Sequence, residues 1–160
     1  MAKAASLYVH IPFCESKCAY CDFASFSPKD SSGKEHLVRP YVDALKREVE
    51  ISPALPLKTV FFGGGTPSLL EAEMIAEIME AIGKRFAIEK NAEVTIEANP
   101  ATVSLEKLKA IKDAGINRLS IGVQSFNDDS LKSLGRIHTA ADALNTISYA
   151  KRAGFDNISL

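Results

Sequence analysis

The sequence predicts an α/β fold in which about five parallel strands form part of a (β/α) barrel of the TIM type. Apolar, strand-like runs alternate with amphipathic helical patterns along the chain, and that order is typical of a parallel sheet. The strand-like runs also alternate apolar and polar residues, and one ten-residue pattern occurs twice. A chain of 160 residues, 46% of them hydrophobic, is long enough for one domain with its own core. We therefore treat residues 1–160 as one domain.

The strands are predicted at five places, near residues 6–12, 58–63, 93–98, 117–123 and 156–160. Successive residues of a strand face opposite sides of the sheet. Leu7, Val9 and Ile11 therefore share an apolar face, while Tyr8 and His10 share a polar one. The third and fourth strands alternate in the same way. Because the apolar faces would pack against helices, we expect a sheet curved around a polar cavity rather than a filled hydrophobic barrel.

Helices are predicted between the strands, the first from about residue 40 to residue 51. Ser68 and Glu71 form a capping-box pattern at the start of the second helix. Ser104 precedes the third helix, and Thr139 with Asp142 precedes the fourth. The apolar residues that recur at helical spacing are Val42, Leu45 and Val49, then Met74, Ile75, Ile78, Met79 and Ile82, then Leu105, Leu108 and Ile111, then Leu144, Ile147 and Ala150.

The repeated pattern is KDAGINRLSI at residues 112–121 and KRAGFDNISL at residues 151–160. Both copies contain a lysine, an Ala-Gly pair and an apolar-Ser-apolar strand. Gly115 and Gly154 would each end a helix. The spacing of the copies is within reach of one strand with its helix and loops, so we interpret them as successive units.

Composition excludes several classes of function. The formal net charge is −1 and the basic residues form no stripe, so nothing indicates a nucleic-acid partner. No apolar stretch approaches the roughly 20 residues that cross a bilayer, so no transmembrane segment is expected. A reducing cytoplasm suits free thiols, and a cytoplasmic protein is the default expectation. Residues 25–34, SFSPKDSSGK, are predicted to form a polar loop or lid.

Three cysteines, Cys14, Cys18 and Cys21, directly follow the first predicted strand, and the chain has no others. Their odd number argues against a disulfide framework. Thiols four and then three residues apart can turn from one loop toward a shared metal ion or cluster. Three thiolates would leave one iron of a four-iron cubane open to another ligand. At this point a structural zinc is the alternative, with a fourth ligand from His10, Asp22 or His36.

Further candidate site residues fall at the carboxyl ends of the next three strands, where the loops of parallel α/β folds build their ligand sites. They are Gly63, Gly64, Gly65 and Thr66, then Glu97 and Asn99, then Gln124 and Ser125. Consecutive glycines let the backbone approach a ligand and expose its amide groups, although a tight turn before a helix would also use them. The chain lacks the Gly-Lys-Ser/Thr of a phosphate-binding P-loop.

Six motifs, taken in order, resemble the radical S-adenosylmethionine (SAM) proteins of the oxygen-independent coproporphyrinogen III oxidase group. They are YVHIPFC ending at Cys14, the C-x3-C-x2-C run, GGGTP from Gly63, EANP from Glu97, GVQSF from Gly122 and LGR ending at Arg136. The resemblance covers nearly the whole chain. A structural zinc would explain none of the other five motifs. The resemblance implies that the predicted fold is the partial barrel of radical SAM proteins.

The resemblance also implies cofactors and their ligands. A [4Fe-4S] cluster would be held by the thiolates of Cys14, Cys18 and Cys21, and SAM would chelate its open iron. SAM contacts would come from Tyr8, Tyr20, Gly64, Gly65, Thr66 and Glu97. A second SAM or the substrate pocket would use Gln124 and Arg136. A low-potential electron donor of the flavodoxin or ferredoxin type would start the radical chemistry of SAM. No catalytic side chain is assigned.

Two features depart from the oxidases of this group. The oxidases resemble C-x3-C-x2-C-x-C, but Phe23 stands at the last of these positions, and Cys-Asp-Phe resembles the related heme chaperones. The chain also ends at Leu160, whereas the resemblance implies a sixth unit and a C-terminal domain, so we expect a truncated N-terminal part. We expect a heme chaperone, with heme or porphyrin and a heme-acceptor protein as partners. The alternatives are a coproporphyrinogen oxidase and a non-catalytic metal-binding module.

Overall fold

The computed structural model describes residues 4–27 and 34–160. Within these residues, five parallel strands form one sheet in the order of the sequence. Consecutive neighbours joined by helices are the arrangement of a (β/α) barrel, so the predicted α/β class with about five parallel strands is confirmed. The strands are β1 (Ala5–Ile11), β2 (Pro56–Gly64), β3 (Ala87–Ala98), β4 (Arg118–Ile121) and β5 (Asn157–Ser159).

Four helices pack along the apolar face of the sheet: α1 (Val38–Ile51), α2 (Ala72–Arg85), α3 (Leu105–Asp113) and α5 (Ala140–Arg152). A shorter helix, α4 (Asp128–Ser133), lies in the connection between β4 and α5. Helix α1 packs against α2, α2 against α3, and α3 against α5. The hydrophobic core lies between these helices and the apolar face of the sheet, where Val60, Phe62, Ile75, Ile96 and Leu119 are fully buried. The short helix α4 was not predicted from the sequence.

Two of the three predicted helix caps are confirmed. At α5, the Thr139 hydroxyl accepts from the Asp142 amide at 3.1 Å, and the Asp142 carboxylate accepts from the Thr139 amide at 2.8 Å. These reciprocal bonds are a capping box. At α3, the Ser104 hydroxyl accepts from the Lys107 amide at 3.2 Å. Both helices therefore begin where their sequences predict.

The capping box predicted from Ser68 and Glu71 is wrong. Residues Pro67–Leu69 form a short 3₁₀ turn, and α2 begins after Glu71 without a side-chain cap. The fully buried Ser68 hydroxyl instead accepts from the Asn99 amide at 3.1 Å and shares a 2.6 Å hydrogen bond with the Thr102 hydroxyl. Ser68 therefore links the loop after β2 to the loop after β3, and this contact between distant segments outweighs the local capping pattern.

The repeated sequence pattern corresponds to two successive structural units. Gly115 and Gly154 have φ angles of +100° and +87°, a conformation that favours glycine at the end of a helix. Each glycine amide donates at 2.9 Å to the carbonyl of the lysine three residues earlier. The units then continue into β4 and β5, which pair in parallel with Arg118 opposite Asn157. The interpretation as successive units is confirmed.

Some boundaries differ from prediction. Strand β4 ends at Ile121 rather than near residue 123, because the Val123 amide bonds back to the Ile121 carbonyl at 2.8 Å and so turns the chain out of the sheet. Strand β3 begins at Ala87 rather than near residue 93. On the helices, Leu144 is 59% exposed although it lies in the apolar pattern of α5. Residues 28–33 of the predicted polar loop or lid lie outside the described residues.

The inner face of the sheet is largely polar. Tyr8 and Glu97 lie on this face, and Thr95 beside them is fully buried. Phe61 is an apolar exception, since its ring stacks on the Tyr8 ring with centroids 6.1 Å apart. This face leads to the carboxyl ends of the strands, where the cavity opens.

Candidate functional site

A cavity of about 700 Å³ lies at the carboxyl end of the sheet. This volume is within the range of small-molecule sites. The cavity is lined by the cysteine loop, the glycine run, the ends of β3 and β4, and the segment before α5. Tyr8 does not line it. The other residues proposed for the cluster, SAM or the substrate all do: Cys14, Cys18, Tyr20, Cys21, Gly64, Gly65, Thr66, Glu97, Gln124 and Arg136. Asn99 and Ser125 also line the cavity, whereas Gly63 does not.

The cysteine loop has a fixed base. The Cys14 amide donates to the Phe26 carbonyl at 3.0 Å, and the Phe26 amide donates to the Pro12 carbonyl at 2.9 Å. Beneath the loop, the fully buried Phe13 ring makes edge contacts with the Phe26 and Tyr41 rings, at centroid distances of 5.2 and 5.3 Å. The thiols are therefore carried by a loop whose two ends are held together.

Two of the thiols receive hydrogen bonds from other segments. The Thr66 hydroxyl donates to Cys14 Sγ at 3.7 Å, and Arg136 Nη1 donates to Cys18 Sγ at 3.3 Å. Donors of this kind, one of them a cation, stabilise thiolates and thiolate-bound clusters. Across residues 4–27 and 34–160, no group of three or more His, Cys, Asp or Glu side chains is already arranged to hold a metal ion. The three free thiols nevertheless share one cavity with suitable donors, and this donor set fits an iron-sulfur cluster.

His10 is committed to other contacts. Its Nε2 lies 3.1 Å from the Ala24 carbonyl, which can only accept, so Nε2 carries the proton and donates. Its Nδ1 then accepts from the Tyr8 hydroxyl at 3.2 Å. Because both ring nitrogens are engaged, His10 does not offer the fourth ligand that a structural zinc would need. Asp22, another candidate for that ligand, lines the cavity.

The glycine run packs against the end of β1. A Cβ on Gly64 would lie 2.5 Å from the His10 ring, and a Cβ on Gly65 would lie 2.6 Å from the Phe13 carbonyl oxygen and 3.0 Å from Cys14 Sγ. Gly64 also has a φ angle of +114°. A side chain at Gly64 would displace the His10 ring, and one at Gly65 would displace the Phe13 backbone or Cys14, so both positions favour glycine.

The amide groups of this run are not free for a ligand, so that part of the sequence expectation is wrong. The Gly64 amide donates to Glu97 Oε2 at 3.2 Å. The Gly65 and Thr66 amides donate to the carbonyls of Ile11 and Phe13, at 2.8 and 2.7 Å. These bonds support the interpretation of the glycine run as a tight turn. What the run still offers a ligand is a backbone that lies close to Cys14.

Glu97 connects the glycine run to the polar inner face. Its side chain is half-buried, and this burial raises the pKa of the carboxyl group, while the hydrogen bond from the Gly64 amide opposes the rise. Burial also raises the pKa of the Tyr8 hydroxyl, with a further contribution from the Glu97 charge. Gly63 lies beside both, since a Cβ there would be 3.0 Å from the Tyr8 ring and 3.1 Å from Glu97 Oε2. Tyr8 thus lies next to Glu97 rather than in the cavity wall.

The loop after β4 forms another wall of the cavity. Arg136 Nη2 donates to the Gly122 carbonyl at 2.8 Å, so Arg136 contacts both this loop and Cys18. Sequence reasoning missed His138, which is 3% exposed and contacts the next carbonyl of the same loop, that of Val123, at 3.0 Å. No local pattern could have identified it, because its partner lies 15 residues away in another loop.

Aromatic rings lie at the open side of the cavity. Tyr20, Phe23 and Phe126 line it and are 50%, 62% and 53% exposed. Partial burial raises the pKa of the Tyr20 hydroxyl, and the nearby Arg136 charge opposes this. Large aromatic faces beside thiols give the entrance an apolar character.

Among the helices that the structure describes, none combines the length and the apolar character needed to cross a membrane.

The sequence was compared with known proteins. Heme chaperone HemW of Haemophilus influenzae is 45% identical over 159 aligned residues, with 97% of this chain and 42% of that protein covered. Heme chaperone HemW of Bacillus subtilis is 42% identical over 160 residues, with 97% of this chain and 41% of that protein covered. The chain thus spans about two fifths of the length of the curated relatives it matches.

The fold was compared with solved structures. The structure of coproporphyrinogen III oxidase (HemN) from Escherichia coli, described as a radical SAM enzyme, superposes with a TM-score of 0.88 at 30% identity. That match covers 98% of this chain and 36% of the oxidase. The sequence model of the Radical SAM superfamily matches residues 8–160. Because this match covers nearly the whole chain, including every residue that lines the cavity, the chain belongs to the Radical SAM superfamily.

Proposed function

We propose that residues 1–160 carry the cluster- and SAM-binding core of a radical SAM protein that handles heme. Membership in the superfamily implies SAM and a [4Fe-4S] cluster. The observation that carries the proposal is the shared cavity, which one anchored loop lines with Cys14, Cys18 and Cys21 and which Glu97 and Arg136 also line. The three thiolates would hold the cluster, and the bound cluster and SAM together supply radical chemistry.

The residues of the chain bind and shield this pair. Cys14 and Thr66 are only 8% and 9% exposed, so the protein shields the thiol at the inner end of the cavity from solvent. The backbone of Gly64 and Gly65 lets a ligand come close to the thiols. Glu97 offers carboxylate acceptors for the polar groups of SAM. Near Cys18, Arg136, Gln124 and the Tyr20 ring provide a cation, an amide and an aromatic face.

The heme chaperone branch is the function that we favour. Relatives named heme chaperones are 38% to 45% identical to this chain, and the solved oxidase is 30% identical. Phe23 stands where the oxidases carry a fourth cysteine, and its 62% exposed ring at the cavity entrance suits the flat apolar face of heme. A coproporphyrinogen oxidase is the second candidate, supported by the fold similarity to that enzyme at a TM-score of 0.88.

The proposal includes partners and a compartment. The complete protein would receive an electron from a flavodoxin- or ferredoxin-type donor, bind heme or porphyrin, and deliver heme to an acceptor protein. We propose the cytoplasm as the compartment, since a reducing environment suits a protein whose thiols hold a cluster. Residues 1–160 would be the N-terminal part of its radical SAM core domain.

The cluster is tested by anaerobic reconstitution with iron and sulfide. The parent chain should take up about four irons, and Cys18→Ser should lose them together with the brown chromophore. Ala19→Ser, a serine introduced at the neighbouring exposed position, is the matched control and should keep the iron. One zinc per chain in the parent, or retention of iron by Cys18→Ser, would contradict the cluster assignment.

An experiment that decides between chaperone and oxidase needs the regions of the relatives that residues 1–160 do not match. A chimera in which residues 1–160 replace the matching segment of the Haemophilus influenzae heme chaperone provides them. With cluster, reductant and SAM, it should bind heme and form no protoporphyrinogen from coproporphyrinogen III. Phe23→Cys should not confer oxidase activity by itself. Steady decarboxylation by the chimera would favour the oxidase instead.

A further inference from the structure

Gln124 occupies a strained turn at the rim of the cavity. Its φ angle is +65°, and among the described residues it is the one non-glycine residue with a positive φ. The Ser125 amide donates across it to the Val123 carbonyl at 2.8 Å. A residue with this φ inside a hydrogen bond between its two neighbours forms the rarer, strained kind of γ-turn. Such a conformation persists only where the surrounding structure holds it.

His138 supplies a second hydrogen bond to the same turn. Its Nε2 lies 3.0 Å from the Val123 carbonyl oxygen, which can only accept, so Nε2 is the donor. The Val123 carbonyl therefore receives two hydrogen bonds, one from the Ser125 amide within the turn and one from His138 behind it. The second bond ties the turn to the segment that precedes α5.

The imidazole is not there for packing alone. His138 is 3% exposed, and its buried Nδ1 has no hydrogen-bond partner within residues 4–27 and 34–160. An unpaired buried acceptor is unfavourable, and an apolar side chain of similar size would avoid it. Burial also lowers the pKa of His138, in keeping with a neutral ring that donates from Nε2. An apolar residue at this position could not provide the hydrogen bond that His138 Nε2 donates to the Val123 carbonyl.

The turn determines where the Gln124 side chain lies. Gln124 Nε2 and Arg136 Nη2 lie 3.3 and 3.5 Å from the position that a Cβ on Gly122 would take. The amide and the guanidinium therefore stand together over Gly122, and both residues line the cavity. Arg136 holds the Gly122 carbonyl and His138 holds the Val123 carbonyl, so one short segment fixes two successive peptide groups of this wall.

We propose that His138 is a positioning residue whose hydrogen bond to the Val123 carbonyl holds the γ-turn that places Gln124 in the cavity wall. His138 thereby sets the affinity of the cavity for its ligand without touching it. The identity of that ligand as SAM rests on the proposed function, whereas the effect on the turn does not.

The test uses two replacements of the histidine. His138→Gln places an amide donor near the position of Nε2, and His138→Leu fills the space without a donor. Amide hydrogen exchange over residues 122–126 should be faster in His138→Leu and parent-like in His138→Gln, with α2 unchanged in both. In the reconstituted chain, SAM affinity should fall about tenfold in His138→Leu and stay within about twofold of the parent in His138→Gln.

A double-mutant cycle separates positioning from general stability. If His138 acts through Gln124, His138→Leu should cause no further loss of SAM affinity in a Gln124→Ala background. Additive losses, unchanged exchange over residues 122–126, or equal losses in both His138 variants would overturn the proposal. A parent chain that carries the cluster but binds no SAM would contradict the proposed function, and the exchange measurement would still decide the role of His138.

Discussion

The Thr66 hydroxyl is the contact that joins the glycine run to the cysteine loop. It donates to Cys14 Sγ at 3.7 Å, and both residues are buried. Hydrogen bonds to the sulfurs of an iron-sulfur cluster stabilise its more negative, reduced form and so raise its reduction potential. A single hydroxyl can therefore influence when the proposed cluster accepts an electron.

We expect Thr66→Val to lower the reduction potential of the reconstituted cluster, because valine keeps the shape of threonine but donates no hydrogen bond. Thr66→Ser keeps the hydroxyl and is the control. The measurement is a redox titration followed by electron paramagnetic resonance, with iron content determined in parallel. If both variants titrate like the parent, the hydroxyl does not tune the cluster.

Glu97 provides a second prediction for a single residue. Its carboxylate is half-buried beside the glycine run and accepts from the Gly64 amide at 3.2 Å. Glu97→Ala should weaken SAM binding by about 1 to 3 kcal/mol, the usual loss for a hydrogen bond to a charged group, without loss of iron. Equilibrium binding of SAM to the reconstituted chain measures this loss of affinity. Unchanged affinity with a complete cluster would mean that Glu97 serves only to hold the glycine run.

Helices α1 and α2 are linked by an ion-pair network centred on Glu77. The Glu77 carboxylate lies 2.7 Å from an Arg39 Nη atom and 2.6 Å from Lys46 Nζ. Hydrogen bonds from Arg39, and then from Lys46, lower the pKa of Glu77 from 4.5 to about 2. Because the folded chain binds this proton less readily than the unfolded chain, the network stabilises the fold above pH 4.5 and loses that contribution as the pH falls through about 2.

We therefore expect Glu77→Gln to lower Tm at pH 7. The difference from the parent should shrink as the pH falls below 4.5 and nearly vanish near pH 2. Glu89→Gln, at an exposed glutamate of β3, controls for the loss of one negative charge. High salt should reduce the effect at pH 7, because these groups are accessible to solvent. A difference that is independent of pH would show that the charge of Glu77 is not its cause.

Local sequence predicted elements well where the stabilising contacts are themselves local. The box at Thr139 and Asp142 and the cap at Ser104 involve residues three apart, and both were predicted correctly. Ser68 has the same pattern, but its hydroxyl bonds to Asn99 and Thr102 on a different loop. No pattern within the Ser68 segment reveals that competition, because its partners lie about thirty residues away.

At the scale of the whole molecule, stability depends on the layer between the sheet and the helices. Leu119 in β4 is fully buried in that layer, whereas Leu144 in α5 is 59% exposed. Leu119→Ala should reduce the free energy of unfolding by about 2 to 5 kcal/mol, the usual cost of a cavity in a core. Leu144→Ala, the same chemical change, should stay within about 0.5 kcal/mol of the parent. Equilibrium unfolding in urea measures the free energy of both variants. If both lost a similar amount, Leu144 would make a stabilising contact that the structure does not show.

The sequence by itself determined the class of the fold and most of the residues of the site. Alternation along the strands, glycines at helix ends and the repeated unit are short-range signals, and a parallel sheet brings the carboxyl ends of its strands to one rim whatever its details. The cysteine loop, Glu97 and Gln124 could therefore be assigned to one site before their distances were known. Tyr8 shows the limit of that reasoning, since it shares the face but does not line the cavity.

Only the tertiary structure decided which polar groups are already satisfied. The amides of Gly64, Gly65 and Thr66 are engaged within the chain, both nitrogens of His10 are occupied, and His138 reaches the Val123 carbonyl. Apart from the bond between Tyr8 and His10, which lie two residues apart, these contacts join different segments of the chain. A hydrogen bond depends on distances of a few tenths of an ångström and on direction, and packing sets both only after the strands and helices have assembled.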